Sequence, residues 1–170
     1  MEFKASLGNT SKIITVVVSL LMLVIVIIAF VDLSNKVWWL AAFALLFILT
    51  ILGGWAYSIK SYEIKDNMLF IKRPIGSRQF SLHFLKKVER IPRKDLWMSF
   101  RLFGSGGFFG YYGRFYNMNY GSMRMFATNL NNAVMLTLND GRKIVVTPDE
   151  PQNFIDALTS NINARLIRRY

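Results

Sequence analysis

The chain contains no cysteine, so it has no disulfide framework, no thiolate nucleophile and no cysteine-based metal site. Histidine is almost as scarce. The one copy, His83 in Leu82-His83-Phe84, sits between two strand-like stretches with no fixed acid or nucleophile beside it, and reads as a surface or structural residue. Acidic residues number 10 against 21 Lys and Arg, and the adjacent pair Asp149 and Glu150 is accounted for by its place at a helix start. A phosphate-cradling motif is missing too. Gly104-Ser105-Gly106-Gly107 lacks the Gly-x-Gly-x-x-Gly spacing, is followed by no helix pattern and carries no Gly-Lys-Ser/Thr, so it reads as a flexible turn. No catalytic residue, metal ligand set or cofactor is expected, and the protein is read as a non-enzyme.

Charge is absent from two long apolar runs, residues 13–31 and 37–57, joined by Asp32-Leu33-Ser34-Asn35-Lys36. At about 1.5 Å rise per residue, 19 and 21 helical residues each match the ~30 Å hydrocarbon core of a bilayer. The pattern predicts a two-helix transmembrane hairpin. Lys4 and Lys12 precede the first run and Lys60, Lys65, Lys72 and Arg73 follow the second, whereas the connection holds one Lys and one Asp. The positive-inside rule then places the protein in the cytoplasmic membrane with two spans and both termini cytoplasmic. A cleaved signal peptide fits poorly, because the first run exceeds a usual h-region and a second span follows at once. Phe30, Trp38 and Trp39 flank the outer loop, and Trp55, Tyr57 and Tyr62 the inner end, as interfacial anchors. Thr15-x-x-x-Ser19 and Thr50-x-x-x-Gly54 fall at similar depth in an antiparallel hairpin. They either let the helices pack closely, or only bond back to their own carbonyls and loosen the helix exit. With no charge in either run, a transport path has no supporting residue. The helices read as an anchor and a possible oligomerisation surface.

Residues 60–170 hold 18 of the 21 basic and 8 of the 10 acidic side chains, a net +10 on a segment long enough for one domain with its own core. The expected organisation is an anchor over 1–59 and a cytoplasmic domain over 60–170. Such a charge implies an anionic neighbour: lipid headgroups, nucleic acid or an acidic protein. Positive-inside bias already accounts for much of it, so no specific nucleic acid is expected. From Ser61 the hydropathy alternates with period two. Tyr62 and Ile64 lead to a turn at Asp66-Asn67, residues 68–73 return, and Pro74-Ile75-Gly76 turns again. Further strands are expected over 78–82 and 86–91, and the clearest hairpin is 132–138 and 142–147 around Asn139-Asp140-Gly141. Thr147-Pro148-Asp149-Glu150-Pro151 reads as a helix start, followed by one apolar face with Phe154, Ile155, Leu158, Ile162 and Leu166, and by Arg165, Arg168 and Arg169 near the C-terminal end. Short antiparallel strands ended by one amphipathic helix make an α+β arrangement with the helix capping a bent sheet or barrel.

Residues 96–126 are the most unusual soluble stretch, with eleven aromatics, six glycines and three charges, all Arg (Arg101, Arg114, Arg124). Phe100, Phe103, Phe115 and Phe126 are expected to fill the barrel interior while the glycines let a wide hairpin bend. For Phe108-Phe109 and Tyr111-Tyr112 two readings stand. They belong to the core, or they form an exposed tip resting among headgroups or against a partner, with Arg114 and Arg124 contacting phosphates.

The run Arg101-Leu102-Phe103-Gly104-Ser105-Gly106-Gly107-Phe108-Phe109-Gly110-Tyr111-Tyr112-Gly113-Arg114-Phe115, then Gly121-Ser122-Met123-Arg124-Met125-Phe126-Ala127-Thr128-Asn129 and Val145-Val146-Thr147-Pro148-Asp149-Glu150-Pro151-Gln152-Asn153-Phe154-Ile155, resembles the bacterial pleckstrin-homology-like proteins. The similarity covers roughly residues 62–158, and the two preceding helices match the layout of membrane-attached members. The resemblance implies a seven-stranded, strongly bent sheet capped by a C-terminal helix, and no chemistry. Lys65, Lys72, Arg73 and Arg78 lie in the region matching the basic loop of eukaryotic phosphoinositide-binding domains, but form no phosphoinositide motif. The expected function is a membrane-tethered, non-catalytic binding or scaffolding module facing the anionic inner leaflet, partnered by a membrane protein or a second copy. The alternative is a lipid-handling or enzyme-accessory subunit, which an apolar pocket opening toward the bilayer would favour. The surface expected to serve either role comprises those four basic residues with Arg101, Phe108, Phe109, Tyr111, Tyr112, Arg114 and Arg124.

Overall fold

The structure, a computed structural model, describes residues 1–31 and 37–167. The 32–36 connection lies outside the described residues, as do the side chains of 29–41 and 161–170, and with them the expectations on Phe30, Trp38, Trp39, Ile162, Arg165, Leu166, Arg168 and Arg169.

Two helices, α1 (Asn9–Val31) and α2 (Val37–Tyr57), pack on each other. Over Asn9–Ile28 the mean hydropathy is 2.8 and only 6% of the most apolar window is buried inside the protein, so α1 is long and apolar enough to cross a membrane. The described apolar part of α2 is Ala42–Tyr57.

The strands form two sheets. In the first, β1 (Glu2–Lys4), β2 (Ser61–Lys65), β3 (Met68–Lys72) and β4 (Ser77–Ser81) lie in sequence order and pair antiparallel. Asp66 and Asn67 take positive φ of 50° and 59°, which is what a two-residue hairpin turn needs. Residues 2–4, which the sequence reading places with the anchor, pair with β2 in the register Phe3↔Tyr62. Phe3 then meets Phe154 edge to face at 5.1 Å, a strand too short to leave a periodic signal.

The second sheet holds β5 (Leu85–Arg90), β6 (Ser99–Gly107), β7 (Gly110–Asn117), β8 (Gly121–Ala127), β9 (Val134–Leu138) and β10 (Lys143–Val146), in the order β5-β9-β10-β8-β7-β6. The expected Asp-Gly hairpin is β9–β10, with Gly141 at φ +82°. The expectation of a purely antiparallel sheet is corrected at one pair. The chain leaves β8, lays β9 beside β5 and returns through the hairpin, so β10 enters between β9 and β8 and runs parallel to β8. A one-turn helix α3 (Arg93–Leu96) follows β5, and α4 (Pro151–Ile167) starts with a proline in its first turn, as the sequence predicts.

The main core lies between the first sheet, β9–β10 and α4, where Tyr62, Leu69, Ile71, Val134, Phe154 and Leu158 are fully buried. Burial of each such side chain contributes about 1.5–3 kcal/mol. Tyr62 also ties the sheets together: its hydroxyl donates to the Phe126 carbonyl at 2.6 Å and accepts the Thr147 N–H at 3.1 Å. A second cluster, with Ile91, Phe115, Met123, Met125, Met135 and Val145, occupies the opposite face of the six-stranded sheet. Two of the four phenylalanines expected inside are there, Phe115 at 4% exposure and Phe126 at 7%; Phe100 and Phe103 are 59% and 80% exposed. The reason is topological. β6 is an edge strand of the six-stranded sheet, with β7 as its one partner strand among the described residues.

Candidate functional site

The site forms where the glycine-rich ribbon of β6 and β7 meets the helices. Gly104 and Gly113 face each other across the pair with φ of +111° and +130°. A Cβ on Gly104 would lie 2.0 Å from the Tyr112 carbonyl oxygen, and one on Gly113 2.1 Å from that of Phe103, so only glycine lets the two backbones approach there. The ribbon's tip, Phe108-Phe109, rests on both helices. The Phe109 N–H donates to Thr15 Oγ1 at 2.9 Å, and the Thr15 hydroxyl donates to the Ser11 carbonyl at 2.7 Å. On α2 the absence of a side chain at Gly54 makes the room: a Cβ there would fall 2.7 Å from the Phe108 ring and 2.8 Å from that of Phe109. Thr15 and Thr50 bond back to the Ser11 and Leu46 carbonyls, as one reading of the small residues expects; that Thr15 and Gly54 also receive the ribbon tip was anticipated by neither reading. Phe109 holds φ +55°, a left-handed conformation that costs a non-glycine residue about 1–2 kcal/mol and is held by the Thr15 bond.

Beside the docked ribbon opens a cleft of about 1320 Å³. Leu49, Thr50, Gly53 and Tyr57 of α2 form one wall, β4 another, and the stretch of β6, β7 and β8 that carries Arg114, Arg124 and Phe126 the floor, with Phe103 at the rim. Among the described residues five arginines line it, Arg73, Arg78, Arg114, Arg124 and Arg142, and no carboxylate does. Arg142 is paired with Asp140 at 2.6 Å; among the described residues the other four have no ion pair. Arg114 and Arg124 are directly opposed on β7 and β8, an arrangement of like charges that costs about 0.2–1 kcal/mol when nothing neutralises it. The Arg73 guanidinium lies 5.2 Å from the Tyr57 ring centre and 5.6 Å from that of Phe126, and its Nε is buried with no hydrogen-bond partner among the described residues. Burial, and then the neighbouring Arg78 charge, lower its pKa, yet a guanidinium stays protonated, so the strain is that of an uncompensated cation. Tyr57 stacks on Tyr112 at 6.2 Å, and burial raises the Tyr112 pKa.

The profile of the bacterial PH domain matches residues 60–162. The chain belongs to the bacterial PH domain family. Comparison with curated proteins and with solved structures gives no match.

In this bacterial PH domain, Arg73, Arg78, Tyr112, Arg114 and Arg124, five of the residues singled out in the sequence, come together in the cleft. The others do not join them. Lys65 is exposed at the end of β2, and Lys72 is engaged by Glu2 at 3.5 Å and Glu63 at 3.0 Å. The Arg101 side chain lies over Gly106, outside the cleft lining. Phe108 and Phe109 are half-buried against the helices, and Tyr111 packs on the second core cluster. Sequence reasoning missed Arg142, Tyr57 and the wall formed by Leu49, Leu102 and Phe103. Period-two alternation around buried Phe115 and Met125 does put Arg114 and Arg124 on one face, whereas Arg142 reaches the cleft through a turn and Tyr57 through tertiary packing alone.

Proposed function

We propose that this protein is a membrane-tethered, non-catalytic binding module whose arginine-lined cleft engages an anionic lipid of the cytoplasmic leaflet. The observation that carries this is a cleft with four arginines that have no ion pair among the described residues and with the apolar helix α2 for a wall. In this reading α1 and α2 both span the bilayer, residues 1–59 anchor and residues 60–170 form the cytoplasmic domain. Pairing of β1 with β2 supports a common side for the two helix ends, because it holds the chain before α1 beside the chain after α2. Lys4, Lys12, Lys60 and Arg73 gather at that side, in keeping with a cytoplasmic assignment. From Tyr57 back to Leu49 the helical wall rises about 12 Å, most of one leaflet's hydrocarbon depth, so a lipid could keep its tail in the membrane with its headgroup among the arginines. Each Lys or Arg near an anionic surface adds about 1 kcal/mol of attraction, enough for a few to fix the domain's tilt.

The apolar wall of Leu49, Leu102 and Phe103 also favours the second reading, a lipid-handling subunit. Full-length protein purified in mild detergent, with bound molecules identified by mass spectrometry, tests the proposal. Anionic lipid is expected on the wild type and depleted on Arg73→Gln. Equal lipid on both, or a stoichiometric protein partner and no lipid, would overturn it. Transfer of the bound lipid between vesicles would favour the second reading over scaffolding.

A further inference from the structure

The cleft carries more positive charge than an ordinary anionic phospholipid can neutralise. Arg73, Arg78, Arg114 and Arg124 face it with no carboxylate among the described lining residues. A phosphodiester headgroup brings a single negative charge, whereas a phosphomonoester carries about −1.5 to −2 at neutral pH, and a diphosphate more. We infer that the cleft selects a lipid whose headgroup ends in a phosphomonoester or a diphosphate; this rests on the lipid-binding reading above.

Three features support that headgroup. Arg114 and Arg124 sit opposite each other on neighbouring strands, so their Cβ atoms are about 4.5–5.5 Å apart and two planar guanidinium forks can grip one terminal phosphate from adjacent positions. Terminal phosphates offer three oxygens for such bidentate bonds, and a diester fewer. Arg73 lines the same cleft, its guanidinium set in place between the Tyr57 and Phe126 rings with no ion pair among the described residues, a cation that a phosphate would neutralise. The hydroxyls of Tyr57 and Ser81 add neutral donors along the same lining. The source is a lipid rather than a soluble phosphate because the cleft continues along α2, past Gly53, where a Cβ would meet nothing within 4 Å, to Leu49. That open strip leaves room for an acyl or prenyl tail.

The test uses full-length protein in nanodiscs of phosphatidylcholine doped with either phosphatidic acid or phosphatidylglycerol, with retained lipid counted by native mass spectrometry. Phosphatidic acid is expected to be retained at least about tenfold more tightly than phosphatidylglycerol, and the paired change Arg114→Gln with Arg124→Gln to bring the two lipids level. Arg101→Gln, outside the cleft, is expected to leave the preference intact. Should the paired variant fail to fold, the wild-type preference alone decides. Equal retention of the two lipids would overturn the selectivity and leave the lipid-binding reading standing. Retention of neither above phosphatidylcholine would overturn both. Inorganic diphosphate binding as tightly as phosphatidic acid would overturn the assignment to a lipid, since the tail strip would then contribute nothing.

Discussion

The Thr15 side-chain oxygen accepts the backbone N–H of Phe109 at 2.9 Å, joining the second turn of a membrane-type helix to the tip of a strand hairpin 94 residues later in the chain. Around this bond the ribbon settles on Gly54, stacks Tyr112 on Tyr57 and closes one side of the arginine cleft. Helix position and cleft shape are therefore linked through a few small residues. Thr15→Val removes the acceptor at nearly constant volume and is expected to cost about 1 kcal/mol. Gly54→Leu drives a branched side chain into both phenylalanine rings and is expected to release the tip altogether. Limited proteolysis in detergent checks the pair: cleavage near Phe108 should be faster in Gly54→Leu than in Thr15→Val, and slowest in the wild type.

Two glycines with positive φ should respond very differently to alanine. At Gly104 the new Cβ strikes the Tyr112 carbonyl at 2.0 Å, a backbone atom that cannot swing away. At Gly121, φ +69°, nothing lies within 4 Å, so only the left-handed conformation is at issue. The expected losses are more than about 3 kcal/mol for Gly104→Ala and about 1 kcal/mol for Gly121→Ala. Thermal melting of the two variants side by side tests the order.

Exposure separates phenylalanines that the sequence treats alike. Phe115→Ala opens a cavity in the second cluster and is expected to cost about 3–5 kcal/mol. Phe103→Ser, at the cleft rim, is expected to change stability by no more than about 0.5 kcal/mol while weakening lipid retention. A stability loss at Phe103 as large as at Phe115 would contradict the edge-strand placement of β6.

Tyr62 supplies a pH signature. Burial pushes its pKa from 10.0 up to about 12, so the folded protein favours the neutral phenol more than the unfolded chain does. The stability this represents is complete below pH 10, falls between pH 10 and about pH 12, and is gone above, on the order of 2–3 kcal/mol. Denaturant titrations across that window should show the decline in the wild type. Tyr62→Phe should be less stable at neutral pH, having lost the bonds to Phe126 and Thr147, but flatter across the window.

Local chemistry made much of this fold legible. The positive-φ turn at Asp66-Asn67, the Asp-Gly hairpin and the proline at the start of α4 are all features that nearest neighbours in sequence determine. What escaped depends on distance along the chain. The three residues of β1 become a strand only because Ser61–Lys65 is there to receive them, and the parallel β8–β10 pair depends on a crossover that no local pattern encodes. At the site, Arg114 and Arg124 could be placed on one face by alternation, but Phe100 and Phe103 could not be placed outside, since an edge strand carries the same apolar pattern as a central one. Tyr57, at the helix end, read as an interfacial anchor; its role as a partner for Tyr112 and Arg73 arises from tertiary packing.

The measurement that bears most directly on the cleft's role is photocrosslinking in native membranes, with a photoactivatable benzophenone side chain placed at exposed Phe103 on the rim. A lipid adduct on the full-length protein, reduced when Arg73→Gln is combined with the probe, is the result expected of a cleft that opens on the bilayer and holds an anionic headgroup. Adducts to protein alone, or a lipid adduct that Arg73→Gln leaves unchanged, would contradict it.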